Sequence, residues 1–298
     1  MLILVLGANG QLGQSIKSLV TKNKINHTFI FSSRDDLDLS YVDNIQNYFK
    51  DQKFNLVINC AAYTKVDKAE TNAKQANLIN HLAVKKIAEI AKRSNIKLIH
   101  ISTEYVFDGL KRHPYFESDA TSPINMYGKT KLAGENAILS IMKFNAIIIR
   151  TSWIYSEYGN NFVDTVLKLL QKDSDLNIVS DQIGTPTYAS DLGQALLSII
   201  ESDKFNDGVQ ESKIYHYSNK GECSWYDFAS EIRDISGIKR TLNPIKTKNY
   251  PTTAKRPIYV LMSKKKVSKE FGLKINFWKD SLKVCMKKLS IQSDLNKN

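Results

Sequence analysis

The stretch Leu2-Ile3-Leu4-Val5-Leu6-Gly7-Ala8-Asn9-Gly10-Gln11-Leu12-Gly13 decides the fold. Its first five residues are a continuous apolar run that stops at a glycine. A strand buried on both faces reads this way, because neither face needs polar side chains. Gly7, Gly10 and Gly13 then form a GxxGxxG pattern, and a helix is predicted from Gln11 to Thr21 with Leu12, Ile16, Leu19 and Val20 on one side. Glycines in such a turn let backbone approach a pyrophosphate, and the helix N-terminus aims its amides and positive dipole at the phosphates. Gly7, Gly10, Gln11, Leu12 and Gly13 are therefore candidate cofactor-binding residues.

Outward from there, short apolar runs alternate with helical patterns. Strands are predicted at Thr28–Phe31, Leu56–Asn59, Lys97–Ser102 and Asn145–Thr151, and a helix at Leu82–Arg93. Alternation of this kind implies βαβ units and an α/β fold: a Rossmann-type, doubly wound parallel sheet. After about residue 152 the elements shorten and Gly184, Pro186, Gly208, Gly221, Pro244, Pro251 and Pro257 are scattered among them. The expectation is an NAD(P)-binding domain over 1–152. Residues 153–298 form mainly a smaller α/β substrate lobe, with an interleaved boundary. The end, from Gln292 to Asn298, reads as frayed.

The chain of 298 residues is 42% hydrophobic and 24% charged, ordinary for a globular protein with a sizeable core. Cys60, Cys223 and Cys285 are odd in number and far apart, which excludes a disulfide framework and points to a reducing, cytoplasmic compartment. The start lacks the basic region and cleavage site of a signal peptide. Apolar runs such as Ala146–Ile149 are too short to cross a membrane. The net charge of +12 is uneven: residues 239–298 hold 16 basic and 3 acidic residues, and the first 238 are almost balanced. That surplus reads either as a solvated basic face or as attraction to an anionic partner. It fits no nucleic-acid-binding motif. His81, His100 and His113 lack metal-ligand spacing, so no metal site is expected.

The second predicted strand runs into Ser32-Ser33-Arg34 rather than a carboxylate. Small hydroxyls and an arginine suit a 2′-phosphate, hence NADPH. Asp35, Asp36 and Asp38 keep NADH open, and Arg34 equally suits an exposed turn. Tyr127-Gly128-Lys129-Thr130-Lys131 places a tyrosine and a lysine four apart, on one helical face. A tyrosine of pKa about 10 is a poor acid–base at neutral pH, and a neighbouring ammonium would lower it. Thr103, at the end of an earlier strand, offers a hydroxyl to a substrate carbonyl oxygen. Cys60 reads as a small packing residue. Trp225 and Tyr226 open an amphipathic helix and read as core.

Taken together, these residues resemble the extended short-chain dehydrogenase/reductases, and within them the dTDP-4-dehydrorhamnose reductase subfamily. The matching motifs include Gly7–Gly13, Asp36-Leu37-Asp38-Leu39, Asn59–Asp67, Ser102–Gly109, Tyr127–Lys131, Arg150–Tyr155, Asn161–Val163, Asp181–Thr187 and Arg256-Pro257. The resemblance implies that Gly10, Gln11 and Leu12 meet the cofactor pyrophosphate and that Asp38 and Leu39 flank the adenine. It sets Ala62, Tyr63 and Thr64, with Ala61 before them, at the nicotinamide half. Thr103, Tyr127 and Lys131 would form the catalytic triad with Tyr127 as proton donor. Thr103, Glu104 and Trp153 would line a deoxysugar pocket. Arg256 is expected to grip the substrate diphosphate. The implied reaction is NADPH-dependent reduction of the C4 keto group of dTDP-4-dehydro-6-deoxy-L-mannose, with a nucleotide sugar as partner and a homodimer left open. Glu104 stands where the subfamily usually has aspartate, and Val260 where it tends to have serine. Two alternatives stay open: a cofactor-binding regulatory subunit like that of methionine adenosyltransferase, and a reductase or epimerase of another nucleotide sugar.

Overall fold

The computed structural model describes residues 1–295 except 24, 51 and 173. Strands β1 (Leu2–Leu6), β2 (Thr28–Ser32), β3 (Leu56–Asn59), β4 (Lys97–Thr103) and β5 (Ala146–Thr151) are joined by a sixth, Lys213–His216. All six are parallel, in the order Lys213–His216, β5, β4, β3, β1, β2. The order reverses after β1, so the carboxyl ends of β1 and β3 flank a crevice.

Side chains alternate between two cores, as a pleated strand requires. Ile3, Val5, Ile58, Ile99 and Ile147 face one layer, whereas Leu4, Leu6, Val57, Leu98 and Ile148 face the other. Both layers carry helices, which is why β1 can be apolar throughout. Each fully buried aliphatic side chain contributes about 1.5–3 kcal/mol.

Two elements beyond residue 152 belong to this sheet layer. The Lys213–His216 strand pairs with β5, and Leu192, Leu196 and Ile199 of the Ala189–Ile200 helix pack on Leu12 and Ile16 of α1 (Gln11–Lys22). A third core, built on Tyr155, Val166, Phe228, Trp278 and Leu282, lies wholly beyond residue 152. Short strand pairs frame it, among them Leu242–Ile245 with Leu176–Val179 and Cys223–Ser224 with Ile183–Gly184. The Trp278–Leu295 helix runs into the stretch expected to fray, whose residues 296–298 lie outside the described residues. Among the described residues no helix is long and apolar enough to cross a membrane.

Candidate active site

The carboxyl ends of β1, β3, β4 and β5 open into one cleft of ≈ 980 Å³. Its floor is the glycine turn. Gly7 and Ala8 both donate backbone N–H groups to the Ser32 carbonyl at 3.0 Å, and Gly10 donates to Gly7 at 3.0 Å. Gly7 has φ +81°, a conformation open to glycine. Gly10 caps α1 without any side-chain hydrogen bond, leaving the helix's first amides facing the cleft for an anion. A Cβ on Gly13 would overlap the Gly7 carbonyl oxygen and the Ala8 backbone. Gly13→Ala is therefore expected to force the turn open, destabilise the chain by about 1–3 kcal/mol and weaken dinucleotide affinity by about tenfold or more. Calorimetric titration with a nicotinamide dinucleotide checks this, and an unchanged affinity would remove the turn from the cofactor site.

Beyond the end of β2, Ser33, Arg34, Asp38 and Leu39 line the cleft. Arg34 is exposed and pairs with Asp38 at 3.0 Å, while the Ser33 hydroxyl donates to Asp36 at 2.8 Å. Asp38 is held below its ordinary range: hydrogen bonds from Ser40 and the Arg34 charge outweigh its partial burial, the largest single influence, which acts the other way. On the opposite wall run Cys60, Ala61, Ala62, Tyr63 and Thr64. Asn80 fixes this wall, accepting the Tyr63 N–H at 2.8 Å and donating to the Tyr63 carbonyl at 3.1 Å. It does so from a π-helical turn, Leu78–Leu82, that precedes the Ala83–Arg93 helix; the sequence pattern predicted a regular helix from Leu82. Burial pushes the Cys60 thiol up to about 12, consistent with packing rather than nucleophilic use.

The polar centre comes from β4 and the Met126–Ile141 helix. Asn125 caps that helix through the Gly128 N–H at 2.8 Å. Gly128 leaves room for the Tyr105 carbonyl oxygen, which an added Cβ would strike. The Thr103–Tyr105 segment thus settles on the helix start, with the Tyr105 and Tyr127 rings edge to face at 5.8 Å. Thr103, Glu104, Tyr127 and Lys131 all line the cleft. The Thr103 hydroxyl donates to Glu104 at 2.8 Å. Lys131 donates to the Ile101 carbonyl at 2.6 Å.

The electrostatics differ from the sequence expectation in one respect. Tyr127 lies above its ordinary pKa, through burial first and the Glu104 charge second, with the Thr103 hydroxyl acting the other way. The Lys131 ammonium is not among the groups that move it. Lys131 itself is lowered by burial to about 8. Glu104 is raised by burial to about 7, against an ordinary 4.5. Folding thus takes up a proton at Glu104 between these two values. Its stabilisation is full below about pH 4.5 and declines by on the order of 3 kcal/mol as pH rises through 7. Glu104→Gln removes that decline. Denaturation midpoints of both chains at about pH 5 and about pH 8 should show the variant gaining on the wild type at the higher pH. An equal difference at both would mean the carboxyl titrates normally.

Beneath the centre lies a buried ion pair. Arg150 holds Glu135 through Nη2–Oε2 at 2.7 Å and Nε–Oε1 at 3.0 Å, and the Ser102 hydroxyl also donates to Glu135. Tyr127, Lys131 and Glu135 follow at intervals of four along one helix face, and Ser102 pairs with Arg150 across β4 and β5.

Of the candidate catalytic, cofactor-binding and substrate-binding residues, Arg256 alone is not among those that line the cleft. Its guanidinium is engaged by Asp67, at 2.6 Å and 3.3 Å, in a clasp spanning 189 residues of sequence. Trp225, read as core, does pack against the third core, and it also lines the cleft: it stacks on Trp153 at 3.7 Å, and both line the wall. Trp153 has φ +46°, strained for an aromatic residue, and that stack together with the Thr187 N–H bonded to its carbonyl at 3.1 Å holds it there. Lys65 and Lys68 also line the cleft, so it carries basic side chains from outside the C-terminal segment.

Residues 1–291 match the family described as RmlD substrate binding domain. The chain belongs to that family. It is 39% identical to a dTDP-4-dehydrorhamnose reductase of Aggregatibacter actinomycetemcomitans, covering 94% of this chain and 97% of the relative. A crystal structure of a dTDP-4-dehydrorhamnose reductase from Clostridium acetobutylicum ATCC 824 superimposes with a TM-score of 0.90 at 38% identity, over 97% and 100% of the two chains. Another, from Bacillus anthracis str. Ames in complex with NADP, gives 0.89 at 32% identity, over 96% and 99%. Within the RmlD family the two departures noted in the sequence have different weight. Val260 is buried against Gly184 and does not line the cleft. Glu104 does, and its carboxyl turns back onto the neighbouring Thr103 hydroxyl.

Proposed function

We propose that this chain is an NADPH-dependent reductase that converts dTDP-4-dehydro-6-deoxy-L-mannose to dTDP-L-rhamnose in the cytoplasm. The observation that carries the reading is the single cleft joining the uncapped start of α1 to Thr103, Tyr127 and Lys131. The glycine cradle, open helix N-terminus and exposed Arg34 fit a dinucleotide with a 2′-phosphate. Pairing with Arg34 softens the repulsion that Asp38 would exert on that phosphate. Three unpaired thiols suit a reducing compartment.

A bound dihydronicotinamide supplies the hydride. Tyr127 delivers its phenol proton to the C4 oxygen as the carbonyl becomes an alcohol. Thr103 holds that oxygen by a hydrogen bond. Its hydroxyl has one proton, and an ionised Glu104 takes it. Protonated Glu104 frees the hydroxyl for the substrate, which links this carboxyl to turnover. Lys131, in the same cleft as Tyr127, would hold the ribose hydroxyls of that cofactor. Trp153 and Trp225 give the deoxysugar an apolar wall and exclude water. Incubation with the L-manno and the D-gluco 4-keto sugar nucleotides, followed by product analysis, tests the sugar. The L-manno compound should be consumed faster, and exclusive use of the other would redirect the assignment.

A further inference from the structure

Behind the cleft, three side chains form a hydrogen-bonded series whose polarity can be read. Asn59 at the end of β3, His100 in β4 and Lys131 are all essentially fully buried. Asn59 Oδ1 accepts the Ala61 backbone N–H at 3.1 Å. This fixes the amide and turns its Nδ2 onto His100 Nδ1 at 3.2 Å. An amide nitrogen only donates, so His100 Nδ1 accepts. Burial, the largest influence on it, holds His100 well below its ordinary pKa. The ring is neutral, and its one proton sits on Nε2. Nε2 lies 3.2 Å from Lys131 Nζ. An N–H there needs an acceptor. An ammonium has none; a free amine has one lone pair.

We propose that His100, locked by Asn59 as the Nε2–H tautomer, holds Lys131 as a neutral amine in the unliganded chain. Asn59 and His100 are then positioning residues that set the charge with which the lysine meets the cofactor. That consequence rests on the reductase reading; the amine itself does not. The amine accepts from His100, donates one N–H to the Ile101 carbonyl at 2.6 Å, and keeps one N–H for a ligand in the cleft it lines. Charging Lys131 sets two donors face to face. Relief moves the His100 proton to Nδ1, against the Asn59 amide, or turns that amide and drops the Ala61 N–H. Either way a buried hydrogen bond is lost, equivalent to about one pH unit.

The other titratable groups around Lys131 do not cancel this. Glu135, one turn along the helix, favours the charged form, but its carboxylate is held by Arg150. Cys60 favours it only as a thiolate, and its thiol is pushed up to about 12. Tyr127, one turn earlier, stays neutral because burial raises it. Burial, opposed by the Glu135 and Cys60 charges, brings Lys131 to about 8, and the donor conflict lowers it from there.

Imidazole nitrogen resonances of the full chain, labelled with 15N-histidine, test the tautomer at neutral pH. The chain has five histidines, and His100→Gln identifies the signal that vanishes. Nδ1 should resonate as a bare nitrogen and Nε2 as a protonated one. Asn59→Asp should invert the pattern, because its carboxylate accepts both the Ala61 N–H and a His100 Nδ1–H. The Lys131 side-chain resonances, assigned by Lys131→Met, should titrate below neutrality in the wild type, so that the amine is the major form at neutral pH. They should rise by about one pH unit or more in His100→Gln and Asn59→Asp. A protonated Nδ1 in the wild type, or a Lys131 midpoint unmoved in both variants, overturns the proposal. Where neither variant folds, the wild-type spectrum decides. Neither readout uses substrate, so failure of the reductase assay leaves this result standing, and the converse holds.

Discussion

Replacing Tyr127 by phenylalanine is expected to lower turnover by about 10²–10⁴-fold, the range that a positioned proton donor contributes. The change removes one hydroxyl and keeps the ring. The edge-to-face contact with Tyr105 therefore survives, and fold and cofactor affinity should be near those of the wild type. The loss should fall in kcat more than in KM, because the proton moves only in the transition state. Burial and the Glu104 charge hold the Tyr127 phenol protonated across the neutral range, as a donor in a reduction must be. Steady-state kinetics with a parallel cofactor titration separates these outcomes. Near-normal kcat in Tyr127→Phe would show that the proton comes from elsewhere.

Removal of the Glu135 carboxylate is expected to have the largest effect on stability. Glu135→Ala leaves the Arg150 guanidinium buried beside Phe107 without its counter-charge and takes away the acceptor for Ser102. Breaking one side of a buried pair costs about 3–5 kcal/mol, because the remaining charge stays desolvated. For a chain of this size that corresponds to a melting temperature lower by roughly 10 °C. Replacing both partners, as Glu135→Leu with Arg150→Met, should recover much of the loss. Activity should fall as well in the single variant, since Ser102 precedes Thr103 and Glu135 lies on the face that carries Tyr127 and Lys131. Thermal denaturation of the single and double variants measures both effects. A single variant that melts with the wild type would mean the pair is hydrated and incidental.

The half of the fold nearest the N-terminus was legible because parallel strands buried on both faces read as apolar runs. β1 and β3 match their predicted ranges residue for residue. The Lys213–His216 strand has the sequence Lys-Ile-Tyr-His, with no such run, and its place beside β5 depends on contacts more than 60 residues apart in sequence. Membership of the Ala189–Ile200 helix in the same layer is likewise a matter of packing on α1, which periodicity within the helix does not encode.

The cleft was legible where its chemistry is local: a glycine turn, a tyrosine and lysine one turn apart, a threonine at a strand end. It was not legible where a role depends on a distant partner. Arg256 looked free to bind an anion because Asp67 is 189 residues away. Trp225, at the start of an amphipathic helix, packs against the core as that pattern suggests; its second, cleft-lining face follows from the stack on Trp153. The proximity of Lys131 to Tyr127 in sequence suggested an ammonium acting on a phenol. The fold instead directs that nitrogen to His100 and Ile101 on β4.

Oxidation of NADPH, followed at the nicotinamide absorbance, with dTDP-4-dehydro-6-deoxy-L-mannose generated in situ by the preceding dehydratase and epimerase, tests the reductase activity itself. A reductase of this kind gives steady oxidation, slower with NADH, one dTDP-L-rhamnose formed per NADPH consumed, and loss of the signal in Tyr127→Phe. Cofactor that binds without being consumed, in the presence of that sugar, would contradict that activity.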